Sequence, residues 1–301
     1  MTAAAGPGIG RDQEPAPVAL LRAARGFVFD LDGTLVLGDR RNHGLAPLPG
    51  ALAMTSRLRR DGVPFAVLTN GTARTPAQYA AALRELGFEL DADRMLTPAV
   101  SALDLLTRRR QGRVMVLGTE GLTGPLTERG IEAVPPRGRP RVDAVLAGWY
   151  RQFTVEALES ACHAVWGGAA FYSCSQSRFF ATAEGREMGT SRAISAMVRS
   201  MTGCRVQVVG KPSLHALRST ARRLGVRLPE LAVVGDDPEL EVPMARRGRA
   251  IAVAVATGIG PADAFARLPA ARRPHLSVAG VDALLALYDH AGGEVGLVGM
   301  D

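Results

Sequence analysis

Short apolar runs that end in polar clusters alternate along the chain with stretches whose apolar residues recur at helical spacing. The first run, Gly26-Phe27-Val28-Phe29, has no polar interruption and predicts a short buried strand. A polar, Gly/Pro-rich loop follows from Leu37 to Pro49, and Leu52, Met54 and Leu58 then predict the buried side of a helix over 51–60. Pro64 to Thr69 reads as a second apolar strand. Thr75-Pro76-Ala77-Gln78 combines a capping box with a proline at the first helical position, Tyr79, Leu83 and Leu86 share a face, and Gly87 supplies the stop. The next helix opens at Thr97-Pro98 and closes at Arg108-Arg109-Arg110, where cations suit the carbonyl end of the dipole.

The same alternation continues to the end of the chain. It predicts strands at 113–118, 142–147, 169–174, 206–209, 231–234 and 250–255, separated by helices near 120–129, 154–166, 190–202, 213–224 and after Asp237, with a closing helix over 281–290. Strands alternating with helices imply an α/β fold, a Rossmann-like parallel sheet with helices on both faces. About 140 residues separate Asn70 from Lys211, far more than one crossover uses. They predict an inserted α/β cap at 111–189, with 25–110 and 190–301 forming the core domain. Residues 1–24, rich in Ala, Gly and Pro, read as a disordered leader with at most a short helical end.

The polar residues at the strand ends carry the candidate chemistry. Asp30 and Asp32, then Thr69, Asn70 and Gly71, then Lys211, then Asp236 and Asp237, each follow a predicted strand, where ligands of open α/β sheets bind. Carboxylates two apart on an extended backbone point the same way, so Asp30 and Asp32 converge. Like charges that close call for a cation, and a hard divalent ion such as magnesium takes oxygen ligands.

Composition narrows the rest. The 301 residues are 47% hydrophobic and 22% charged, ordinary for a two-domain soluble protein. No apolar run approaches a membrane span and residues 1–25 lack a secretory hydrophobic core, so a cytoplasmic address and no membrane partner are expected. The formal charge is +7, but the arginines are spread along the chain without interleaved aromatics, which argues against nucleic acid. Three cysteines without CxxC spacing suggest neither disulfides nor zinc. Of 36 basic residues only Lys211 is lysine, which marks a position where a compact point charge is needed and a planar guanidinium is not suited.

Asp-Leu-Asp-Gly-Thr at 30–34, Leu-Thr-Asn-Gly at 68–71, Gly-Lys-Pro-Ser at 210–213 and Val-Gly-Asp-Asp at 234–237 resemble the four motifs of the haloacid dehalogenase superfamily. Within it the chain is similar to the branch of p-nitrophenyl, phosphoglycolate and pyridoxal phosphate phosphatases, which carries a large α/β cap. The resemblance implies a magnesium-dependent phosphomonoester hydrolase acting on a small phosphorylated metabolite. Asp30 would be the nucleophile and Asp32 the general acid and base. Asp30, the Asp32 carbonyl and Asp236 would hold magnesium, while Thr69, Asn70, Gly71 and Lys211 would bind the phosphoryl group. Glu241 stands where the branch usually has aspartate, and with Asp237 would lie just behind the metal. The cap stretch 174–191 also departs from the branch pattern. A rival reading is therefore a catalytically weak or inactive relative with a binding or assembly role, and the oligomeric state stays open, a homodimer included.

Overall fold

The computed structural model describes residues 17–39, 41, 43–259 and 263–293. Six parallel strands form the larger sheet, in the spatial order Leu276–Val278, Ile251–Val255, Leu231–Gly235, Gly26–Phe29, Phe65–Leu68 and Met95–Leu96. The first apolar run of the chain is thus interior to the sheet, hydrogen-bonded on both sides, as its unbroken hydrophobicity requires.

Alternation along that strand feeds two different cores. Phe27 and Phe29 point to one face, stacked with ring centroids 5.8 Å apart, and share a cluster with Met54, Leu58, Tyr79, Leu83 and Leu284. Val28 points to the other face and packs with Leu217, Val242 and Met244. The helices Ala51–Arg60, Pro76–Glu85 and Val281–Gly293 cover the first face, and Leu214–Leu224 and Glu241–Gly248 the second. The Thr75 capping box is present, with Gln78 N–H donating to the Thr75 hydroxyl at 3.2 Å and Thr75 N–H to Gln78 Oε1 at 2.8 Å.

A second, five-stranded parallel sheet runs in the order Gln207–Val208, Ala170–Ser173, Ala144–Ala147, Arg113–Leu117 and Glu132–Val134. Its strands come from the stretch in which an inserted α/β unit is expected, and helices on either side of 111–189 pack with it. Ala99, Ala102 and Leu106 of the helix Pro98–Arg108 pack with Val114, Val116 and Leu146. Ile194 and Val198 of the helix Thr190–Thr202 pack with Met115 and Leu117, and Gln207–Val208 is an edge strand. Helical spacing identifies these helices but not the sheet to which their apolar faces turn.

Two hairpins have no counterpart in the sequence expectations: Val36–Leu37 with Ala46–Pro47, and Phe179–Thr182 with Gly185–Met188. Residues 1–16 of the expected leader lie outside the described residues; at its end Pro17–Ala23 is helical, and its Leu21, only 2% exposed, joins the core beside the closing helix. Among the described residues no helix is long and apolar enough to cross a membrane.

Phe27 is fully buried between strand and closing helix, its ring also edge-on to Tyr288. Phe27→Ala should lower the unfolding free energy by about 3–5 kcal/mol in urea titrations; a loss under about 1 kcal/mol would show that this core had been misjudged.

Candidate active site

Asp30, Thr69 and Asn70, and Asp236 and Asp237 each begin just past the carboxyl end of a strand in the six-stranded sheet. Lys211 arrives differently. The strand before it, Gln207–Val208, belongs to the inserted sheet, so the lysine is delivered where the chain crosses back. Asn70 fixes that crossing: its Oδ1 accepts the Lys211 N–H at 2.7 Å while its Nδ2 donates to the Lys211 carbonyl and to Ser175 Oγ, both at 3.0 Å. The Asn70 side chain thus ties the main chain of Lys211 to the inserted unit, and Asn70 lines the same pocket as Asp30 and Thr69.

Lys211 is 2% exposed and its ammonium sits between two carboxylates, Asp30 Oδ1 and, at 2.6 Å, Glu241 Oε1. Burial alone would lower its pKa; the charges of Asp30 and Glu241 overcome this and hold it above the ordinary lysine range. Asp30 Oδ1 also accepts the Leu31 N–H at 2.6 Å, so both bonds converge on one oxygen of that carboxylate. One oxygen each of Asp30, Asp236 and Glu241 lie within 4.8 Å of one another, all three residues buried. The side chain of Asp32 is not part of that trio.

The trio is short of positive charge. Burial, then the charges of Asp30 and Glu241, raise Asp236 well above the usual carboxylate range. Burial pushes Glu241 up to about 8 against the opposing pull of Lys211, and Asp237 up to about 6. Asp236 Oδ2 accepts the Ile259 N–H at 2.7 Å, and Glu241 Oε2 accepts the Asp237 N–H at 3.1 Å. Asp236 Oδ1 is buried with no hydrogen-bond partner. Gly258 makes this packing feasible, since a Cβ there would lie 1.8 Å from Asp236 Oδ2.

These groups open onto one pocket, whose wall includes Asp30, Asp32, Thr69, Gly71, Lys211 and Asp236. The inserted unit completes it with Trp149, Ser177, Phe179, Phe180 and Thr190. Thr69 is 1% exposed, and its Oγ1 accepts the Gly71 N–H at 2.9 Å. Thr72, unmarked by sequence reasoning, joins the two sheets by accepting the Trp149 N–H at 2.8 Å. Within the cap stretch 174–191, Phe179 and Phe180 reach the pocket, whereas Arg178 pairs with Glu239 at 3.5 Å.

Two family models match the chain: haloacid dehalogenase-like hydrolase over residues 27–132, and HAD-hydrolase-like over 208–284. Chronophin of Mus musculus is 30% identical over 279 residues, 88% of this chain and 94% of its own length. This chain belongs to the haloacid dehalogenase-like hydrolases. Within them it falls in the phosphatase branch. The acid sugar phosphatase of Staphylococcus aureus is 30% identical over 217 residues, 72% of this chain and 80% of that protein. A glycerol phosphate phosphatase from Mycobacterium tuberculosis, solved in complex with calcium, superposes with a TM-score of 0.76 at 29% identity, covering 88% of this chain and 76% of that one. The same protein has been solved in complex with magnesium.

Two substitutions probe the geometry. Gly258→Ala should push Asp236 off its Ile259 amide and reduce kcat/KM at least about tenfold, by analogy with the cost of displaced charge-stabilising groups; an unchanged kcat/KM would mean that the carboxylate position is not critical. Lys211→Arg keeps the charge but does not fit between Asp30 and Glu241, and should cost about 10²-fold or more in kcat. Near-normal turnover would contradict the need for a compact ammonium.

Proposed function

We propose that this chain hydrolyses small phosphate monoesters through a phosphoaspartate on Asp30, with Asp32 as general acid and base and magnesium as the bound cation. The observation that carries the reading is the Asp30 carboxylate itself: at a strand end, bound through Oδ1 to the Leu31 amide and the Lys211 ammonium, and grouped with two more buried carboxylates. Three carboxylates against one ammonium, with Asp236 Oδ1 buried and unpartnered, fit a hard divalent cation. Asp30, Asp236 and the Asp32 carbonyl would hold it, with Glu241 adjoining. When bound, the ion neutralises charge on the phosphoryl oxygens.

The chain's own residues then account for two displacements. The Asp30 carboxylate attacks phosphorus, the ester P–O bond breaks, and protonated Asp32 gives its proton to the departing oxygen. Asp32, now ionised, takes a proton from water as that water attacks phosphorus. The P–O bond to Asp30 breaks, inorganic phosphate leaves, and both carboxyl groups return to their starting states. Lys211 and Thr69 bind the phosphoryl oxygens, and Lys211 also offsets the charge on Asp30. Asn70 lines the pocket beside Thr69, and its side chain holds the Lys211 main chain.

The pocket supports a substrate with an uncharged leaving group. The inserted unit contributes aromatic and hydroxyl side chains, among them Trp149, Phe179, Ser177 and Thr190, and Lys211 is the only Lys or Arg among the lining residues described. The names of the relatives, sugar and glycerol phosphate phosphatases, agree with such esters. We further infer that the inserted domain runs from about residue 98 to about residue 209, on the strength of the packing of its two flanking helices. The rival role in binding or assembly is disfavoured by the intact arrangement of Asp30, Lys211 and Asp236.

With magnesium the protein should turn over p-nitrophenyl phosphate. Chelation should abolish the activity, and Asp30→Asn should reduce it by more than about 10³-fold. Inactivity across sugar phosphates, glycerol phosphate and p-nitrophenyl phosphate, or full activity in Asp30→Asn, would overturn the proposal.

A further inference from the structure

The hairpin Phe179–Thr182 with Gly185–Met188 comes from the inserted stretch but leans on three loops of the core domain. The Ala183 N–H donates to the Gly38 carbonyl at 2.8 Å. Ala181 backs onto the turn after Asp32, where a Cβ on Gly33 would lie 3.0 Å from the Ala181 Cβ. Arg186, the cross-strand partner of Ala181, donates through Nε at 3.0 Å and through Nη2 at 2.5 Å to the Ile259 carbonyl. Arg186 is exposed and Ile259 half-buried, so water could serve that carbonyl. Two charge-assisted bonds in its place hold Ile259 in one position.

What Ile259 does there gives the contact its meaning. Its N–H donates to Asp236 Oδ2 at 2.7 Å, in a turn so tight that a Cβ on Gly258 would lie 1.8 Å from that oxygen. Asp236 Oδ1 has no hydrogen-bond partner, so the Ile259 amide is what orients this carboxylate. Arg186 therefore grips the acceptor side of the residue whose donor side sets Asp236. Its guanidinium also lies over the Phe179 ring, 5.8 Å from the centroid, and Phe179 stands in the pocket wall. One side chain thus touches both the aromatic wall of the pocket and the residue that aims the acidic trio.

We propose that Arg186 is a positioning residue: by clasping Ile259 it sets the Asp236 carboxylate for the cation, and it ties that setting to the hairpin that carries Phe179. This rests on the reading of Asp30, Asp236 and Glu241 as a divalent-cation site. Simple charge repulsion makes the opposite forecast, because removing a positive side chain from the neighbourhood of a cation would tighten its binding.

The test is calorimetric titration with magnesium, in the absence of ester, of the wild type, Arg186→Met and Arg186→Lys. Methionine keeps an apolar stem over Phe179 and loses both donors, whereas lysine keeps the charge and a compact donor. The dissociation constant for magnesium should rise about three- to tenfold in Arg186→Met, less than the about 10–100-fold of a group bonded directly to a metal ligand, and by a smaller factor in Arg186→Lys. Turnover of p-nitrophenyl phosphate at limiting magnesium should fall by the same factor and return toward wild type with excess magnesium. The Tm of the metal-free protein should not change, since the residue lies at the surface. Unchanged or tighter magnesium binding in Arg186→Met would overturn the proposal. So would a lower metal-free Tm accompanying the loss, which would make the clasp structural, or a change in KM alone, which would confine Arg186 to the Phe179 wall. A wild type that binds magnesium but hydrolyses no ester would instead sink the phosphatase reading, and the three dissociation constants would still decide the role of Arg186.

Discussion

Lys211 lies among buried carboxylates, against Asp30 and 2.6 Å from Glu241, with Asp236 completing the acidic trio. An isolated charge in such a place is costly, and removing one partner from a buried pair leaves the other uncompensated. One ammonium cannot balance three carboxylates. The site therefore has a built-in requirement for further positive charge, and the same imbalance would favour a divalent ion and hold a phosphate ester beside Asp30.

The fold supplies this arrangement from several separate parts of the chain. The strand Gly26–Phe29 is interior to the larger sheet, with its alternate side chains anchored in two cores, so Asp30 starts from a rigid base. Lys211 comes from the segment that returns from the inserted sheet, and Asn70 clamps its backbone on both sides of the peptide. Arg186 of the hairpin Gly185–Met188 donates through Nε to the Ile259 carbonyl at 3.0 Å, while the Ile259 amide holds Asp236. Contacts from the inserted unit thus reach both the lysine and the acidic trio, and the two sheets form one site between them.

Much of this was legible in the sequence because the signals were local. Unbroken apolar runs gave the strands, the Thr75 capping box gave a helix start, and polar residues at run ends gave Asp30, Thr69, Lys211 and Asp236. Properties that depend on long-range packing were not legible. Helical spacing could not tell which sheet the helices Pro98–Arg108 and Thr190–Thr202 would cover. Nothing local shows that the Lys211 main chain, 141 positions later, takes both ends of the Asn70 side-chain amide. Nor does anything local show that an oxygen of Glu241 comes within 4.8 Å of those of Asp30 and Asp236. The short hairpin Phe179–Thr182 with Gly185–Met188 was missed because its exposed, polar-rich outer strand offers no clear period-2 pattern.

The Asp30, Asp236 and Glu241 cluster needs a divalent cation to be electrically balanced, and urea unfolding of chelator-treated protein with and without added magnesium shows whether it does. Selective binding to the folded chain predicts a stability gain that grows with the logarithm of free metal, reaching about 2.7 kcal/mol at a hundred times the dissociation constant. Asp236→Asn should remove most of that gain. Identical unfolding curves with and without the ion, or an equal gain in Asp236→Asn, would contradict the account.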